Sequence, residues 1–451
     1  MSAKTRGGPS GRPGRGGGGQ SAPLRIVAAT PSAVAALRAG ARRDGERARA
    51  VAERIVADVR RRGAAGLEGW RRRLECPAGA ASPRPLRVPP GELPRAWRRL
   101  PADLQAALRQ AHQHIRQMAE WQRPPEWTRE IAPGVRVSQI VRPLESVGCY
   151  VPAGRHPLPS TLLMTAVPAR AAGIARIAVA CPDPGDAVLG AAWLAGVTEV
   201  YRMGGAQAIA ALAYGAGPIA PVEKIVGPGN SFVTAAKQIV WPDCEIDFLA
   251  GPSEILWLAD RRSPPAYIAA DLIAQAEHDP EACAWAVVLS RRQAAQLAAA
   301  VSEQLEAAPN SVARQSLRRR GAILVARNRA HAMAIANDLA AEHLTLPAAW
   351  LPDLRSAGSV FLGAASPVAA GDYLTGPNHV LPTSGGARRR GGLSVADFLK
   401  VITVQELSRA GLHRLAPAIT TLARTEGLEA HARSIEMRSA RAVQSPARRR
   451  K

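Results

Sequence analysis

The stretch EKIVGPGN, residues 223–230, joins a short β-branched run to a glycine turn and leads directly into a helical pattern. Two earlier stretches have the same arrangement, RIAVACP at 176–182 and VTEVYRMGG at 197–205. Short apolar strands that alternate with helices predict a parallel α/β sheet. The glycine turns then lie at the carboxyl ends of the strands, where a ligand crevice forms and helix N-termini suit anionic groups.

A second series of apolar runs and helical patterns predicts a second parallel sheet. Its strands are EILWLAD (254–260), AWAVVLS (284–290), GAILVA (321–326) and SVFLG (359–363). Neither series contains GxGxxG, so a nucleotide would have to be bound without the usual dinucleotide fingerprint. Apolar residues at helical spacing before residue 122 predict a helical packing region ahead of both sheets.

Composition indicates a globular protein with more than one domain. The 451 residues exceed what one hydrophobic core usually organises. No apolar run approaches the roughly 20 residues of a membrane helix, so we expect a soluble protein without a membrane partner. The five cysteines are far apart and form no CxxC pair, which argues against a disulfide framework and a thiolate zinc site. A reducing cytoplasm fits this pattern.

The formal charge of +23 raises the alternative of a basic nucleic-acid-binding protein. The terminal segments 1–22 and 438–451 carry ten of these charges, and the rest is scattered in short arginine runs with few aromatics. Such a distribution is typical of a solvated surface and predicts no specific nucleic-acid partner. The glycine-rich N-terminal segment cannot form a packed structure, so both tails are expected to be disordered.

Candidate metal ligands begin with DLIAQAEHDP, residues 271–280, where helical spacing places Gln275 and His278 together near a helix end. On this stretch alone an ordinary helix end is favoured. Together with Asp372 and His431 the pair gives two imidazoles, a carboxylate and an amide oxygen, a donor set that suits catalytic zinc. The residues themselves leave both a metal hydrolase and a metal-assisted dehydrogenase open.

Nine motifs, in order and with appropriate spacing, resemble the histidinol dehydrogenase family, and the resemblance extends from about Leu24 to Arg438. The motifs are GCYVPAGRHPLPSTLLMTAVPA, GGAQAIAALAYG, KIVGPGNSFVTAAK, DFLAGPSEILWLAD, DLIAQAEHDP, AEHLTL, GDYLTGPNHVLPTSG, GGLSVADFLK and EGLEAHA. The nearest alternative within the resemblance is a paralogous zinc and NAD dehydrogenase of another small polar alcohol.

The resemblance implies two Rossmann-like parallel-sheet domains, as in aldehyde dehydrogenases, with an N-terminal helical region and a C-terminal helical dimerisation arm. The expected divisions are a disordered tail at 1–22, a helical region at 23–145 that packs on the second α/β domain, an NAD-binding domain at 146–250, a second α/β domain with zinc and catalytic residues at 251–385, a dimerisation arm at 386–437 and a disordered tail at 438–451.

The resemblance also implies the roles of single residues. Zinc, one ion per subunit, would be held by Gln275, His278, Asp372 and His431, with His431 supplied by the other subunit of a homodimer. NAD would be bound by Tyr150, Gln207 and Asn230. The substrate, L-histidinol, would contact Ser253, His343, His379 and Glu426 together with the four zinc ligands.

The implied reaction is the last step of histidine biosynthesis, with Glu342 and His343 as proton acceptors. His343 would remove the hydroxyl proton as hydride passes to NAD, and Glu342 would activate water for oxidation of the aldehyde by a second NAD. No catalytic cysteine is expected, since Cys149 and Cys181 fall where small buried residues are usual. The sequence departs from the usual family pattern at Ala153, His156 and Ala341, none of which removes a proposed functional side chain.

Overall fold

A computed structural model describes residues 24–40, 46–76, 83–152, 157–197 and 199–439. The expected disordered tails, apart from Arg438 and Ser439, lie outside the described residues, as do Ala153 and His156. The chain divides into two compact units, which we call unit 1 (residues 24–40 and 252–366) and unit 2 (residues 46–251 and 367–439). No described helix combines the length and the apolar character needed to cross a membrane.

The described strands and helices are as follows in chain order. The strands are β1 (Arg25–Ala28), β2 (Trp127–Ala132), β3 (Val135–Pro143), β4 (Ser146–Tyr150), β5 (Arg176–Ala180), β6 (Glu199–Tyr201), β7 (Lys224–Val226), β8 (Glu245–Ile246), β9 (Glu254–Leu258), β10 (Cys283–Val288), β11 (Ala322–Val325), β12 (His343–Leu346), β13 (Ser359–Leu362) and β14 (Leu399–Leu407). The helices are α1 (Pro31–Gly40), α2 (Glu46–Arg62), α3 (Ala64–Leu74), α4 (Glu92–Arg99), α5 (Ala102–Trp121), α6 (Pro159–Ala172), α7 (Asp186–Leu194), α8 (Gly205–Tyr214), α9 (Ser231–Val240), α10 (Pro265–Ala276), α11 (Arg291–Ala307), α12 (Ser311–Arg320), α13 (Arg329–Leu339), α14 (Val368–Tyr373), α15 (Arg409–Thr425) and α16 (Glu429–Ser439).

Unit 1 is built on a six-stranded parallel sheet in the order β1-β11-β10-β9-β12-β13. The four apolar runs expected to form the second sheet are its strands β9, β10, β11 and β13, so the prediction of this sheet is confirmed. All residues of β9 and β10 are buried, since helices cover both faces, and this explains their continuous apolar sequence. Two further strands complete the sheet: β1 at one edge, and β12, which contains His343.

Unit 2 contains a five-stranded parallel sheet in the order β6-β5-β4-β7-β8, which confirms the first predicted sheet. From β4 the chain builds outward through β5 to β6, then returns to the other side of β4 to add β7 and β8. The strand order therefore reverses between β4 and β7. In open α/β sheets such a reversal opens a crevice at the carboxyl ends of the two strands.

The structure divides the N-terminal region differently from the expected boundaries. Only β1 and α1 belong to unit 1, where β1 pairs with β11. Helices α2 to α5 lie in unit 2 and pack against the helices of the first sheet, α2 on α8 and α9, α4 on α7, and α5 on α6. The reason is the apolar stripe of α2, since Ile55, Val56 and Val59 share one buried core with Ile209 and Val233.

The second α/β domain also ends earlier than the expected residue 385, because residues 367–385 belong to unit 2. Side-chain hydrogen bonds hold this segment there. The Asn378 amide donates to the carbonyl of Met164 on α6 (2.6 Å), and the backbone N–H of Gly251 donates to the Thr383 hydroxyl. Asp372 and His379 are thereby placed in a different unit from the other candidate residues of the expected domain.

The C-terminal segment expected to be a helical arm (386–437) contains a strand ahead of its helices. β14 joins β3 and β2 in a three-stranded antiparallel sheet, and α15 and α16 follow as a helical hairpin. Eight of the nine residues of β14 are exposed. A strand without a buried face gives no clear alternation of apolar and polar residues, which is why the sequence pattern did not reveal it.

Candidate active site

Glu342 and His343, the two expected proton acceptors, form a buried pair in unit 1. Only 6% of Glu342 and 4% of His343 is exposed. Both side chains form hydrogen bonds with the backbone of Glu254 on the neighbouring strand β9. Glu342 Oε2 accepts the Glu254 N–H at 2.8 Å, and His343 Nδ1 lies 3.2 Å from the Glu254 carbonyl oxygen. A carbonyl oxygen only accepts, so Nδ1 carries a proton in this contact.

The turn that carries the pair has a constrained backbone. Ala340, which ends α13, has a left-handed conformation with φ 48°. Beyond it, the Ala341 and Glu342 carbonyls accept the N–H groups of Gly358 (3.0 Å) and Ser359 (2.8 Å). A Cβ at Gly358 would lie 2.5 Å from the Glu342 carbonyl oxygen, so this position needs glycine. The departure from the family pattern at Ala341 leaves these bonds intact, because residue 341 takes part through its carbonyl.

Gln275 and His278 differ in their settings although they are neighbours in sequence. Gln275 lies in the last turn of α10 and is buried, whereas the helix ends at Ala276 and His278 follows it in an exposed turn. The two are linked by a hydrogen bond of 3.5 Å from the His278 N–H to the Gln275 carbonyl. The prediction that both lie on one helix face therefore needs correction, since Glu277 already forms the helix cap.

A side-chain contact fixes α10 to the sheet of unit 1. The Trp257 indole N–H of β9 donates to Asp271 Oδ2 at 2.9 Å, one turn before Gln275. Burial raises the pKa of the Asp271 carboxyl above its ordinary value. Ser253 lies directly before the same strand, and its carbonyl accepts the Cys283 N–H at 2.8 Å.

Asp372 and His379 lie together in unit 2. The imidazole Nδ1 of His379 is 2.8 Å from the Asp372 carbonyl oxygen and must be its donor. His379 Nε2 then accepts from the Thr161 hydroxyl of α6 at 3.4 Å. Both ring nitrogens of His379 are therefore engaged within the unit, and its orientation is set by α6 and by the end of α14.

Glu426 and His431 flank the turn of the α15–α16 hairpin, and both are exposed. The turn itself is well formed, since the Leu428 N–H donates to the Ala423 carbonyl (2.7 Å) and the His431 N–H to the Leu428 carbonyl (3.0 Å). The two functional candidates are thus held on a regular element with their side chains available.

The four expected zinc ligands are shared between the units, with Gln275 and His278 in unit 1 and Asp372 and His431 in unit 2. Among the described residues, no three His, Cys, Asp or Glu side chains gather as a metal ion would require. The donor set nevertheless suits zinc, because imidazole, carboxylate and amide oxygen are all ligands that it accepts.

The three expected NAD residues lie at the carboxyl ends of strands in the first sheet. Tyr150 ends β4, Gln207 is in the first turn of α8 after β6, and Asn230 follows β7. A Cβ at Gly227, whose φ is 116°, would collide with the Tyr150 carbonyl, so the loop after β7 can lie against β4 only with glycine there. Two of the three residues thus border the point where the strand order reverses, as expected for a ligand crevice.

The helix N-termini at this crevice have acceptors within the protein. Asn230 caps α9 by accepting the N–H groups of Phe232 (3.0 Å) and Val233 (3.1 Å). At α8, the Gly205 N–H donates to the Tyr150 hydroxyl at 3.1 Å, and burial raises the pKa of that phenol to about 12. These bonds occupy part of each N-terminus, and the expectation that the N-termini suit anionic groups stays a prediction.

A buried ion pair holds the loop after β7 and was missed in the sequence. Lys237 Nζ donates to Asp247 Oδ1 and to the Gly227 carbonyl, both at 2.6 Å, and Asp247 Oδ2 accepts the Gly227 N–H at 2.8 Å. The pair thus fixes both backbone groups of the glycine. The feature of the sequence that could have revealed the pair was the lysine within the largely apolar α9. A lysine is normally interpreted as a surface residue unless its partner is known.

Comparison with known proteins identifies the family. The model of the family described as histidinol dehydrogenase matches residues 39–439. The chain belongs to the histidinol dehydrogenase family. A histidinol dehydrogenase of Methanothermobacter thermautotrophicus is 48% identical over 78% of this chain and 85% of its own length, and one of Geobacter sulfurreducens is 44% identical over 85% and 91%.

The fold of the family is present as well. The crystal structure of histidinol dehydrogenase from Elizabethkingia anophelis superposes with a TM-score of 0.87 at 32% identity, and the match covers 92% of this chain and 98% of that one. The resemblance inferred from nine motifs is thereby confirmed, together with the class of two parallel α/β sheets.

The cysteines of this family member are poorly suited to nucleophilic catalysis. Cys149 in β4 and Cys181 after β5 are both buried, and burial raises the pKa of each thiol to about 12. A thiol rather than a thiolate is therefore present near neutral pH. This favours the expectation that neither Cys149 nor Cys181 acts as a catalytic nucleophile.

Proposed function

We propose that this protein oxidises L-histidinol through L-histidinal to L-histidine with reduction of two NAD, as the last step of histidine biosynthesis in the cytoplasm. The observation that carries the proposal is the buried pair of Glu342 and His343, anchored on the backbone of Glu254. Two proton acceptors in one rigid setting suit a reaction that removes two protons and two hydrides in succession.

His343 is assigned the first proton. Its Nε2 accepts the proton of the alcohol hydroxyl, while the Nδ1–H bond to the Glu254 carbonyl keeps the ring oriented. Bound NAD supplies the hydride acceptor for each of the two oxidations. The aldehyde then takes up water, and Glu342 accepts the proton of that water as the hydrate forms. With that proton on Glu342 the hydrate is a monoanion, and loss of the second hydride from it gives the carboxylic acid.

The dinucleotide is assigned to Tyr150, Gln207 and Asn230. Their positions at the ends of β4, β6 and β7 support this, because a reversal of strand order is where open α/β sheets bind such ligands. Asn230 uses its amide oxygen as a helix cap, so its amide N–H groups are the part that would meet NAD.

Zinc is assigned to Gln275, His278, Asp372 and His431, one ion per subunit. As a Lewis acid it would orient the substrate and polarise the reacting oxygen. Substrate contacts are assigned to Ser253, His343, His379 and Glu426 in addition to these ligands. Replacement of His278 by alanine should abolish stoichiometric zinc, measured as metal content of the purified chain, and a variant that retains it would remove His278 from the ligand set.

A homodimer with shared active sites is assigned to the C-terminal elements. β14 and the α15–α16 hairpin expose large apolar side chains, and such a surface supports a contact with a second copy of the chain. These side chains are Val401, Ile402, Val404, Leu407, Leu422, Leu428 and Met437. The exposed position of His431 beside them supports its donation to the other subunit. A change of Leu422 to glutamate should shift the chain from dimer to monomer in sedimentation, with Leu374 to glutamate in the same unit as control.

The decisive experiment is an assay of the purified full-length chain with L-histidinol and NAD. We expect two NADH for each histidinol consumed, loss of activity after chelation and recovery on addition of zinc. Absence of NADH formation with zinc present would contradict the proposed reaction. Activity on other small amino alcohols with equal kcat/KM would reject histidinol as the specific substrate.

A further inference from the structure

Glu75, at the end of α3, reaches the first turn of α8 in unit 2. Its Oε1 accepts the backbone N–H of Gly204 at 2.9 Å and the side-chain Nε2 of Gln207 at 2.7 Å. Neither the motifs nor the proposed function assigns this carboxylate a role. It nevertheless contacts Gln207, a residue of the proposed NAD site that is almost fully buried.

This contact fixes the orientation of the Gln207 amide. A carboxylate oxygen that takes a backbone N–H is an acceptor, so the group of Gln207 facing it must be the amide N–H. The amide oxygen, Oε1, then points away from Glu75. Gln207 is 2% exposed, and within the described part of the chain Oε1 has no hydrogen-bond partner. A buried carbonyl without a donor is unfavourable, which marks a place where a donor is expected.

Gly205 lies directly beside this oxygen and has no side chain that would press against it. A Cβ at Gly205 would lie 2.8 Å from Gln207 Oε1, closer than such contacts occur, and the residue has a φ of 63° that favours glycine. Two backbone N–H groups nearby are already bonded within the protein, since Gly204 donates to Glu75 and Gly205 to the Tyr150 hydroxyl. At this position Gln207 Oε1 is thus a buried polar atom that still needs a donor.

We infer that Glu75 is a positioning residue for the dinucleotide, which holds Gln207 so that Oε1 receives a hydrogen bond from a hydroxyl or N–H group of NAD. The inference rests on the proposed assignment of Gln207 to NAD and specifies the chemistry of that contact. The group that reaches Gln207 is a donor and not a phosphate, because a carbonyl oxygen beside a carboxylate attracts no anion. Oε1 is covered in this structure, so the contact requires a local movement around Gly205.

Arg71 supports the placement of Glu75 and provides a matched control. Its guanidinium is almost fully buried and pairs with Glu75 at 3.3 Å and with Glu68 at 2.9 Å. It also donates to the carbonyls of Arg202 and Arg84. Glu68 and Glu75 thus share one cationic partner on α3, but only Glu75 contacts Gln207. A change at Glu68 removes half of the ion pairing without touching the amide.

The test compares Glu75→Gln with Glu68→Gln in the full-length chain. Glutamine at 75 can present a donor to Gln207 and no longer enforces one amide orientation. We expect the KM for NAD and the dissociation constant of NADH to rise about tenfold, a factor that corresponds to one hydrogen bond. The kcat and the KM for L-histidinol should stay within about twofold of wild type. Glu68→Gln should change none of these values.

A double-variant comparison separates positioning from a general loss of structure. Gln207→Leu removes Oε1 and should weaken NADH binding by itself, after which Glu75→Gln should have little further effect. Additive effects of the two changes would overturn the inference, as would a folded Glu75→Gln protein that binds NADH like Glu68→Gln. If Glu75→Gln does not fold, Glu75→Asp keeps the charge for Arg71 but withdraws the carboxylate from Gln207, and the same outcomes apply.

A comparison of how Glu75→Gln changes the binding of ADP-ribose and of NADH identifies the group of NAD that donates to Gln207 Oε1. If Glu75→Gln weakens ADP-ribose as much as NADH, the donor is a hydroxyl or amino group of the adenosine and ribose part. If only NADH is weakened, the donor is the nicotinamide carboxamide. Failure of the wild-type chain to bind NADH would contradict the proposed function itself, whereas wild-type binding without the Glu75 effect would contradict this inference alone.

Discussion

The buried pair Glu342 and His343 in unit 1 contrasts with Glu426 and His431 on the α15–α16 hairpin in unit 2. The first two are almost fully enclosed and bonded to the backbone of a central strand, whereas the second two are exposed beside apolar side chains. A proton acceptor works only in a fixed orientation, which the interior of one unit can supply. The proposed donation of His431 to another subunit requires instead that its side chain is accessible before the subunits assemble.

The largest effect is expected from His343→Asn. The amide cannot take the hydroxyl proton, so the first oxidation should slow by roughly 10³-fold, within the usual range for general bases. The measurement is NADH formation from L-histidinol in a single turnover, with zinc content and NADH binding as controls of the remaining site. A variant within about tenfold of wild type would assign the proton to another group.

Glu342→Gln should separate the two half-reactions. The amide cannot activate water, so oxidation of L-histidinal should slow by roughly 10²-fold while oxidation of L-histidinol changes little. The two steps are measured separately by supplying each substrate. Equal loss in both would indicate that Glu342 supports His343 through their 3.7 Å contact and has no role of its own toward water.

Mixed subunits test whether the exposed hairpin serves a second chain. His431→Ala and His343→Asn chains should each be inactive alone, but a hybrid dimer has one site with both histidines intact. Random mixing after dissociation should restore roughly a quarter of wild-type activity, since half of the dimers are hybrids with one working site. If mixing restores nothing while hybrids form, His431 acts within its own subunit.

The same contrast explains which features the sequence could reveal. β9 and β10 were readable because burial on both faces gives continuous apolar runs. β14 was not, because eight of its nine residues are exposed and its pairing with β3 joins segments more than 250 residues apart. The apolar stripe of α2 indicates a buried face but not which sheet buries it, so the packing partner of the N-terminal helices was assigned differently.

Local sequence patterns predicted little of the candidate site, and most of its residues were predicted from the motifs that match the family. His278 by itself looks like any histidine after a helix, and its role was inferred only from the family resemblance. Neither the local patterns nor the family resemblance predicted the contacts made by single charged residues. Glu75 contacts Gln207, which is 132 residues away in the sequence, and Lys237 pairs with Asp247 in the interior. In the sequence, each of these charged residues resembles an ordinary surface charge. Asn230 could have been recognised, because asparagine directly before a helix is a common cap.

Asp271→Asn tests whether burial in unit 1 has a cost in stability. The pKa of Asp271 is raised by burial, so the folded protein binds this proton more tightly than the unfolded chain. The ionised form therefore lowers stability as the pH rises through the folded pKa, and the penalty is absent below the unfolded value. Asparagine can still accept from Trp257, so it should raise the melting temperature by roughly 2 °C at neutral pH. A gain that is equally large at pH 3 would rule out ionisation as its cause.

The smallest effect is expected from Thr345→Val, two residues beyond His343 on the same face of β12. Thr345 is fully buried, and among the described residues its hydroxyl has no hydrogen-bond partner. Valine has the same shape without the polar atom, so the free energy of unfolding should rise by about 0.5–1 kcal/mol. The measurement is urea unfolding, with kcat for both oxidations expected to stay at the wild-type value. A loss of activity would mean that the Thr345 hydroxyl takes part in the reaction or helps to hold Glu342 and His343 in place.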